Sequence, residues 1–291
     1  MADPHKRLDT NRAGNFYVDA TCINCDACRQ LAPASFKEIG DYSAVVHQPV
    51  TEPARRQAWR ALLACPTGSI GAEQKDQSLL NAAKADFPLL MEDGVYYCGF
   101  NSEKSFGANS FFVQHPDGNW LIDSPRYLKH LVEAFERMGG VASIFLTHED
   151  DVADAAKFAR HFGARRIIHR EDAHAMPDAE DIINGPESRS YGKEFRIIPV
   201  PGHTAGSLCL LYRDRFLFAG DHLWWEPETR TLASPRQLVW DAEALVQSIE
   251  KLAQYSFDWV LAGHGGRVRL PPSEMQAALR GLIERRRQGQ A

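Results

Sequence analysis

Residues 195–222 read FRIIPVPGHTAGSLCLLYRDRFLFAGDH, and the pattern of this stretch decides the fold of the larger part of the chain. Three apolar runs alternate with polar or glycine-containing segments, which predicts β-strands and turns. His203 and Asp221 each follow one of these runs. Because binding groups are often carried by the loops that follow rigid strands, the stretch predicts a β-rich scaffold that bears a functional site.

Two more stretches place a histidine just after an apolar strand. They are LTHEDD at 146–151 and AGHG at 262–265, which join PGHTAGS at 201–207 and AGDH at 219–222. A lone histidine is more often a surface or core residue than a ligand, but here several strand ends carry one. Neutral imidazoles and carboxylates suit zinc or iron(II), and adjacent glycines let the backbone approach closely. The four stretches together predict a metal site.

The region around these stretches alternates strand-like and helix-like segments. Predicted strands are 95–100, 110–114, 119–123, 142–147, 165–169 and 258–262, and predicted helices are 127–138, 152–162, 242–255 and one from 273 onward. Runs of strands punctuated by helices predict two sheets covered outside by helices, a four-layer α/β arrangement (αββα).

A second motif lies near the N-terminus, where the chain reads Cys22-Ile-Asn-Cys25-Asp-Ala-Cys28, with the fourth cysteine at Cys65-Pro66. Three thiolates at steps of three can each reach a different iron of a cubane, and a distant fourth closes it. The position that would feed a second cluster holds Ala32, so we expect one cluster. A four-cysteine zinc site is less favoured, because it usually brings its ligands as two separated C-x-x-C pairs.

This motif, with a helix predicted at 52–64 and the sequence CPTGSI after it, resembles single-cluster bacterial-type ferredoxins over residues 14–72. The resemblance implies a small α+β domain with one 4Fe-4S cluster, held by the four cysteines and suited to electron transfer. We therefore expect a polar leader at 1–13, a ferredoxin-like domain at 14–72, a linker at 73–90 and the larger domain at 91–291.

Composition excludes several classes of protein. A formal net charge of −5 gives no basic surface for nucleic acid, and the run Arg285–Arg287 is interpreted as the end of a helix, where cations favour the dipole. No segment has the apolar length of a signal peptide or a membrane span. We therefore expect a cytoplasmic protein, and in that compartment clustered cysteines more often bind metal than form disulfides.

The order and wording of the four metal-site stretches resemble the metallo-β-lactamase fold over residues 90–270, with agreement at PGHTAGS, at the aspartate after LFAG and at AGHG. The resemblance implies the αββα arrangement and one or two zinc or iron ions. The first motif departs from the family pattern H-x-H-x-D-H: His148 is present, but Asp150 replaces the second histidine and the following DVADA at 151–155 lacks the last one.

This departure changes the expected site. His148, His203 and Asp221 are intact, while Asp151 or Asp154 is the candidate for the missing carboxylate, and the sequence does not choose between them. A second ion would be held by His264 with Asp221 bridging. Exchange of histidine for aspartate makes the site harder and more anionic, which favours iron or manganese without excluding zinc. Asp150 and Asp151 are also the candidate catalytic carboxylates.

Three functions compete. The first is a metal-dependent hydrolase acting on an ester, thioester or similar acyl substrate, because PGHTAGS resembles glyoxalase-type hydrolases. The second is an oxidoreductase with iron at His148, His203 and Asp221, since persulfide dioxygenases and flavodiiron proteins of the superfamily have related ligand sets and the cluster could bring electrons from a redox partner protein. The third is a metal or redox sensor. The sequence favours the hydrolase, with a small-molecule substrate, by a small margin.

Overall fold

The computed structural model describes residues 2–289 and divides into two compact units. The first unit extends to Asn119 and also contains Ser124–Gly140, and the second contains Trp120–Asp123 and the chain from Val141 onward. Within the described residues, no helix is both long enough and apolar enough to cross a membrane.

The N-terminal part of the first unit is a small α+β module. Its elements are β1 (Phe16–Val18), α1 (Ala27–Leu31), β2 (Phe36–Ile39), β3 (Tyr42–Val45), α2 (Glu52–Ala64) and β4 (Ile70–Ala72). Strands β1 and β4 pair antiparallel, as do β2 and β3. The Thr51 side chain accepts a hydrogen bond from Ala54 N and so begins α2. The Trp59 ring packs edge-on against Phe16, with centroids 5.0 Å apart, which fixes α2 against β1.

The remainder of the first unit contains an unexpected helix. The elements of this part of the unit are α3 (Gln77–Ala85), β5 (Leu89–Glu92), β6 (Val95–Tyr97), β7 (Phe111–Val113) and α4 (Lys129–Arg137), of which α3 is the unexpected helix. Helix α3 and the start of β5 lie in 73–90, the expected linker. The Asp76 side chain caps α3 by accepting from Leu79 N, a local signal that is weak in sequence because the helix buries only Ala83 completely.

The second unit begins with a parallel sheet. Strands β8 (Trp120–Ile122), β9 (Ser143–Phe145), β10 (Arg165–His169) and β11 (Asp181–Ile183) pair in that order, all parallel. Helix α5 (Ala155–Phe162) packs beside β10. It begins three residues later than expected, because the 3₁₀ turn Glu149–Asp151 is followed by Ala153, whose φ of +35° is incompatible with a helix. In a parallel sheet the carboxyl ends of the strands share one edge, so the residues after β8 and β9 come together.

A second, mixed sheet carries the stretch that opens the sequence analysis. Its order is β12 (Arg189–Tyr191), β13 (Phe195–Pro199), β14 (Leu208–Tyr212), β15 (Phe216–Gly220), β18 (Trp259–Ala262) and β19 (Val268–Arg269), while β16 (Trp224–Glu226) and β17 (Thr231–Ala233) form a separate hairpin. Strands β15 and β18 are parallel. Their ends, followed by Asp221 and His264, therefore lie side by side.

Helices α6 (Ala242–Leu252) and α7 (Pro272–Arg287) cover the second sheet. Sixteen buried residues form the core between them, among them Leu217, Val260, Leu245 and Leu279. The apolar positions of α6 and α7 recur at helical spacing, which explains why the sequence pattern predicted these helices correctly.

Candidate metal centres

All four motif cysteines line one enclosed pocket of the first unit. Cys22 and Cys25 lie in the loop after β1, Cys28 lies in α1 and Cys65 ends α2 before Pro66. No cysteine of the chain forms a disulfide within the described residues. Local folding thus brings together residues that are 37 positions apart in sequence.

The chemistry of this pocket fits an iron–sulfur cluster. Burial raises the pKa of the Cys25 thiol to about 12 and raises that of Cys28 further, and the neighbouring thiols add to both shifts. Backbone amides donate to two of the sulfurs: Asn24 N lies 3.4 Å from Cys22 Sγ and Ser69 N lies 3.3 Å from Cys65 Sγ. Thiolates crowded in a dry pocket need a cationic centre, which the irons of a cluster supply.

In the second unit, four side chains converge at the ends of strands from both sheets. His148 Nε2 lies 3.7 Å from Asp150 Oδ2 and 3.7 Å from Asp221 Oδ2. His203 Nε2 lies 3.5 Å and 3.8 Å from the same two oxygens. Donors about 2.0–2.2 Å from a tetrahedral centre lie roughly 3.3–3.6 Å apart, so His148, His203 and Asp221 have the spacing to hold one zinc or iron ion, with Asp150 close to both histidines.

A second donor set shares Asp221 with the first. It contains Asp151, Asp221 and His264. His264 Nδ1 lies 2.8 and 2.9 Å from the two oxygens of Asp221. Gly263 is required beside them, because a Cβ there would lie 2.6 Å from Asp221 Oδ1 and 3.0 Å from Asp151 Oδ2. Two adjacent sets that share a carboxylate fit two ions as well as one.

Several buried polar atoms of the candidate site have no hydrogen-bond partner among the described residues. His148 Nε2, His203 Nε2 and both oxygens of Asp151 are buried without a hydrogen-bond partner among the described residues. Burial raises the pKa of Asp151 well above its usual value. Burial would also raise the pKa of Asp221, but His264 and the other histidines lower it. Such orphaned donors are costly unless an ion occupies the site, and the residues fit one.

The tautomers of the two imidazoles suit coordination through Nε2. His203 Nδ1 lies 2.8 Å from the Leu238 carbonyl and donates to it. His148 Nδ1 lies 3.0 Å from Thr147 Oγ1, which in turn contacts both Asp123 oxygens at 3.0 Å. Partners of this kind orient metal-binding histidines in proteins. Asp123 is a residue that sequence reasoning missed, although it follows an apolar strand as the other site residues do.

Asp172 is a second missed residue, and it joins two donor-bearing loops. Its carboxylate accepts from Glu149 N at 3.2 Å, from Thr204 Oγ1 at 2.6 Å and from Gly206 N at 3.0 Å. It is 1% exposed. Gly206 must be glycine here, since a Cβ would lie 2.5 Å from the Asp172 carboxyl carbon. No sequence signal marks Asp172, because its loop has no motif.

The structure treats the two alternative carboxylates differently. Asp151 joins the second donor set, whereas Asp154 precedes α5 and lies 3.0 Å from Lys157 Nζ. Asp150 lies within 3.7 Å of both histidines of the first set, and 47% of its side chain is exposed. His222 lies next to Asp221 in sequence, and burial lowers its pKa to about 3; neither of its ring nitrogens has a partner among the described residues.

A pocket of about 760 Å³ opens onto these donors. Its walls are the β16–β17 hairpin, residues 232–238 and part of α7. Trp224 and Leu282 give it apolar surface, and Arg285 and Glu226 give it charge of both signs. The size suits a small organic molecule.

Two sheets with histidine and aspartate donors at their strand ends, preceded by a four-cysteine module, define a metal-binding α/β protein with an iron–sulfur domain. The family model described as the metallo-beta-lactamase superfamily matches residues 89–278, and the chain belongs to that superfamily. The model described as the 4Fe-4S single cluster domain of ferredoxin I matches residues 18–72. The predicted family, the ferredoxin domain and the fold class are confirmed.

Similar proteins agree with this placement. The hydroxyacylglutathione hydrolase of Cereibacter sphaeroides is 32% identical over 152 residues, which are 50% of this chain and 57% of that protein. The enzyme of that name from Acidiphilium cryptum is 31% identical over 118 residues, which are 39% and 48% of the two chains. The chain spans about half the length of the curated relatives it matches.

Solved structures show the fold. The DIM-1 metallo-beta-lactamase matches with a TM-score of 0.51 at 15% identity, over 67% of this chain and 95% of that one. The BLEG-1 B3 metallo-beta-lactamase matches with a TM-score of 0.50 at 19% identity, over 60% and 93%.

Proposed function

We propose that the protein is a metal-dependent hydrolase that cleaves an ester or, preferably, a thioester. The observation that carries the proposal is the pair of donor sets around Asp221, which open onto a pocket of about 760 Å³. The hydrolase names of the relatives from Cereibacter sphaeroides and Acidiphilium cryptum support the same class of reaction.

His148, His203 and Asp221 would hold one ion, and Asp151 and His264 would help to hold a second. An ion bound there would supply polarisation of the scissile carbonyl and would lower the pKa of bound water towards about 7. The chain's own residues then position substrate and protons. In the overall reaction water adds to the acyl carbon, the C–S bond breaks, and the products are a carboxylic acid and a thiol.

Asp150 is the carboxylate best suited to accept a proton from the attacking water. The adjacent His203 lowers the pKa of Asp150, so it is ionised at neutral pH, and half of its side chain is exposed. Asp151 is fully buried and is better suited to hold an ion than to exchange protons. This divides the two candidate catalytic carboxylates between two roles.

The test is thiol release from simple acyl thioesters by the purified full-length protein, followed with a thiol-reactive dye. We expect His203→Ala and Asp221→Ala to lower kcat/KM by about a thousandfold or more, as expected when a metal ligand is lost. Lys129→Met, on the exposed side of α4, is the control and retains full activity. Undiminished hydrolysis by both site variants would refute the proposal.

An oxidoreductase is the second candidate, favoured by the position of Asp150 Oδ2 within 3.7 Å of both histidines. A carboxylate at that position makes the donor set harder and more anionic, which suits iron. Metal analysis on protein purified without oxygen separates the two functions. About four irons per chain with zinc supports hydrolysis, whereas about five or six irons with a ferrous signal outside the cluster supports redox chemistry. A redox partner protein and a cytoplasmic location stay predictions.

A further inference from the structure

Residues 232–238, which we call the strap, run from β17 along one wall of the pocket. The strap ends next to the metal-site histidine His203, whose Nδ1 lies 2.8 Å from the carbonyl of Leu238. Two further backbone bonds fasten the chain just beyond it, from Trp240 N to His203 O and from Asp241 N to Gly202 O. The position of the strap and the orientation of this imidazole are therefore linked.

The other side of the strap is held by two arginines of α7. Arg285 Nη2 donates to the Leu232 carbonyl at 2.8 Å. Arg286 Nε donates to Ser234 Oγ at 2.8 Å, and its Nη2 donates to the carbonyls of Ser234 and Pro235. A planar guanidinium presents donors in a fixed fork, so it holds several acceptors in one arrangement. Lysine cannot reproduce that geometry.

The backbone of Leu238 has a strained conformation, which contacts with neighbouring residues must maintain. Its φ is +54°, in the left-handed region, which costs a residue other than glycine roughly 1–2 kcal/mol. Its side chain is 86% exposed, so burial of the leucine does not explain the conformation. Strained backbone persists where the surroundings determine it, and here the surroundings are the arginine contacts and the histidine.

We propose that Arg286, assisted by Arg285, is a positioning residue for the metal site. It fixes the strap, so that the Leu238 carbonyl holds His203 with Nε2 directed at the ion and one pocket wall stays in place. The inference rests on the proposed metal site but not on the identity of the substrate.

Arg287 provides a matched comparison on the same helix turn. It pairs with Glu250 at 2.5 Å, and 66% of its side chain is exposed. All three arginines favour the helix dipole equally. An effect limited to Arg286 therefore cannot come from the dipole or from net charge.

The experiment measures Zn²⁺ affinity of the cluster-loaded full-length protein by competition with a chromophoric chelator. We expect Arg286→Met to weaken Zn²⁺ binding by about ten- to a hundredfold, the usual cost of losing a group that orients a metal ligand. Arg287→Met should stay within about twofold of the unaltered protein. Circular dichroism and the cluster absorption show whether each variant is folded.

Two more variants decide the mechanism. Arg286→Lys keeps the charge without the fork and should remain weakened, while Ser234→Ala removes one acceptor and should show a several-fold loss. Unchanged Zn²⁺ affinity in folded Arg286→Met, or full recovery by lysine, would overturn the inference. If Arg286→Met does not fold, unchanged affinity in both milder variants would overturn it. Because Zn²⁺ binding is measured without substrate, failure of thioester hydrolysis leaves this result independent.

Discussion

The environment of Asp151 is unfavourable for a carboxylate unless a metal ion is bound beside it. Its carboxylate is completely buried, and neither oxygen has a hydrogen-bond partner among the described residues. A buried charge without a partner destabilises the fold, while the same charge beside a cation is favourable. Asp151 thus lowers the stability of the metal-free protein and raises its affinity for the metal ion.

From this we predict opposite effects of Asp151→Asn on two quantities. Zn²⁺ affinity falls about tenfold or more, while the free energy of unfolding of the metal-free protein rises by roughly 1–3 kcal/mol. Chelator competition and urea denaturation measure them. Asp154→Asn is the control, since Asp154 pairs with Lys157; equal loss of Zn²⁺ affinity in both variants would show that the structure has assigned the carboxylate wrongly.

Arg126 is a charged residue that hydrogen-bonds to the backbone at the cluster ligand candidate Cys65. Its guanidinium donates to the carbonyls of Leu63 at 2.8 Å and Cys65 at 3.3 Å, and burial lowers its pKa. It remains a cation, since the pKa of arginine lies far above neutrality. A positive charge beside a cluster stabilises the reduced, more negative state.

We therefore expect Arg126→Met to lower the midpoint potential of the cluster by some tens of millivolts. Arg126→Lys should restore part of the shift. Lys129→Met removes an exposed cation of α4 (90% exposed side chain) and should leave the potential unchanged. Redox titration followed by absorbance is the measurement, and a potential that is equal in the two methionine variants would contradict the expectation.

At the scale of elements, the site depends on loops that different strands carry. The turn after β9 bears His148, and the β13–β14 loop bears His203. Asp172 accepts hydrogen bonds from both of these segments, through Glu149 N on one and Thr204 and Gly206 on the other. One buried carboxylate therefore links the two segments that carry the candidate metal ligands His148 and His203.

Asp172→Asn should accordingly lower Zn²⁺ affinity about ten- to a hundredfold, because an amide cannot accept all three hydrogen bonds. Asp178→Asn, an exposed aspartate of the same segment, should have no effect. Chelator competition gives the affinity and thermal denaturation checks the fold. An Asp172→Asn protein that binds Zn²⁺ normally would show that the loops hold their spacing without this residue.

For the whole molecule, the two metal centres draw on separate parts of the chain. The candidate cluster ligands lie between Cys22 and Cys65, and the candidate second site uses residues from His148 to His264. Because the two centres share no ligand, a substitution that empties one centre should leave the other one loaded. We predict that Cys65→Ala removes the brown absorption and about four irons while the other metal stays.

His203→Ala should give the reverse result: the cluster iron stays and the second metal falls. Elemental analysis of both variants is the measurement. Loss of both metals in either variant would mean that the two centres are not loaded independently. Removal of the second metal by a chelator should also lower the melting temperature, because an ion that binds only the folded state stabilises it by mass action.

The sequence by itself predicted the two sets of candidate metal ligands, the four cysteines and the histidine–aspartate set. The cysteine spacing, the strand-end histidines and the alternating apolar runs are local patterns, because periodicity and spacing report directly on strands, helices and coordinating loops. These patterns predicted an iron–sulfur site, an α/β fold and a metal site that uses His148, His203, Asp221 and His264. The ferredoxin module and the roles of Asp150 and Asp151 were implied by the resemblance to known families.

Only the tertiary structure distinguished Asp151 from Asp154: Asp151 is the last residue of a 3₁₀ turn that sequence patterns do not predict, and Asp154 follows that turn and pairs with Lys157. Only the tertiary structure brought Asp123, Asp172 and the strap to the site, since these contacts join segments that are distant in sequence. Helix α3 was missed because its capping and burial are weak signals. A residue that acts through its backbone leaves no sequence motif, because every residue has a carbonyl. Leu238 is an example, since its carbonyl accepts the hydrogen bond from His203 Nδ1.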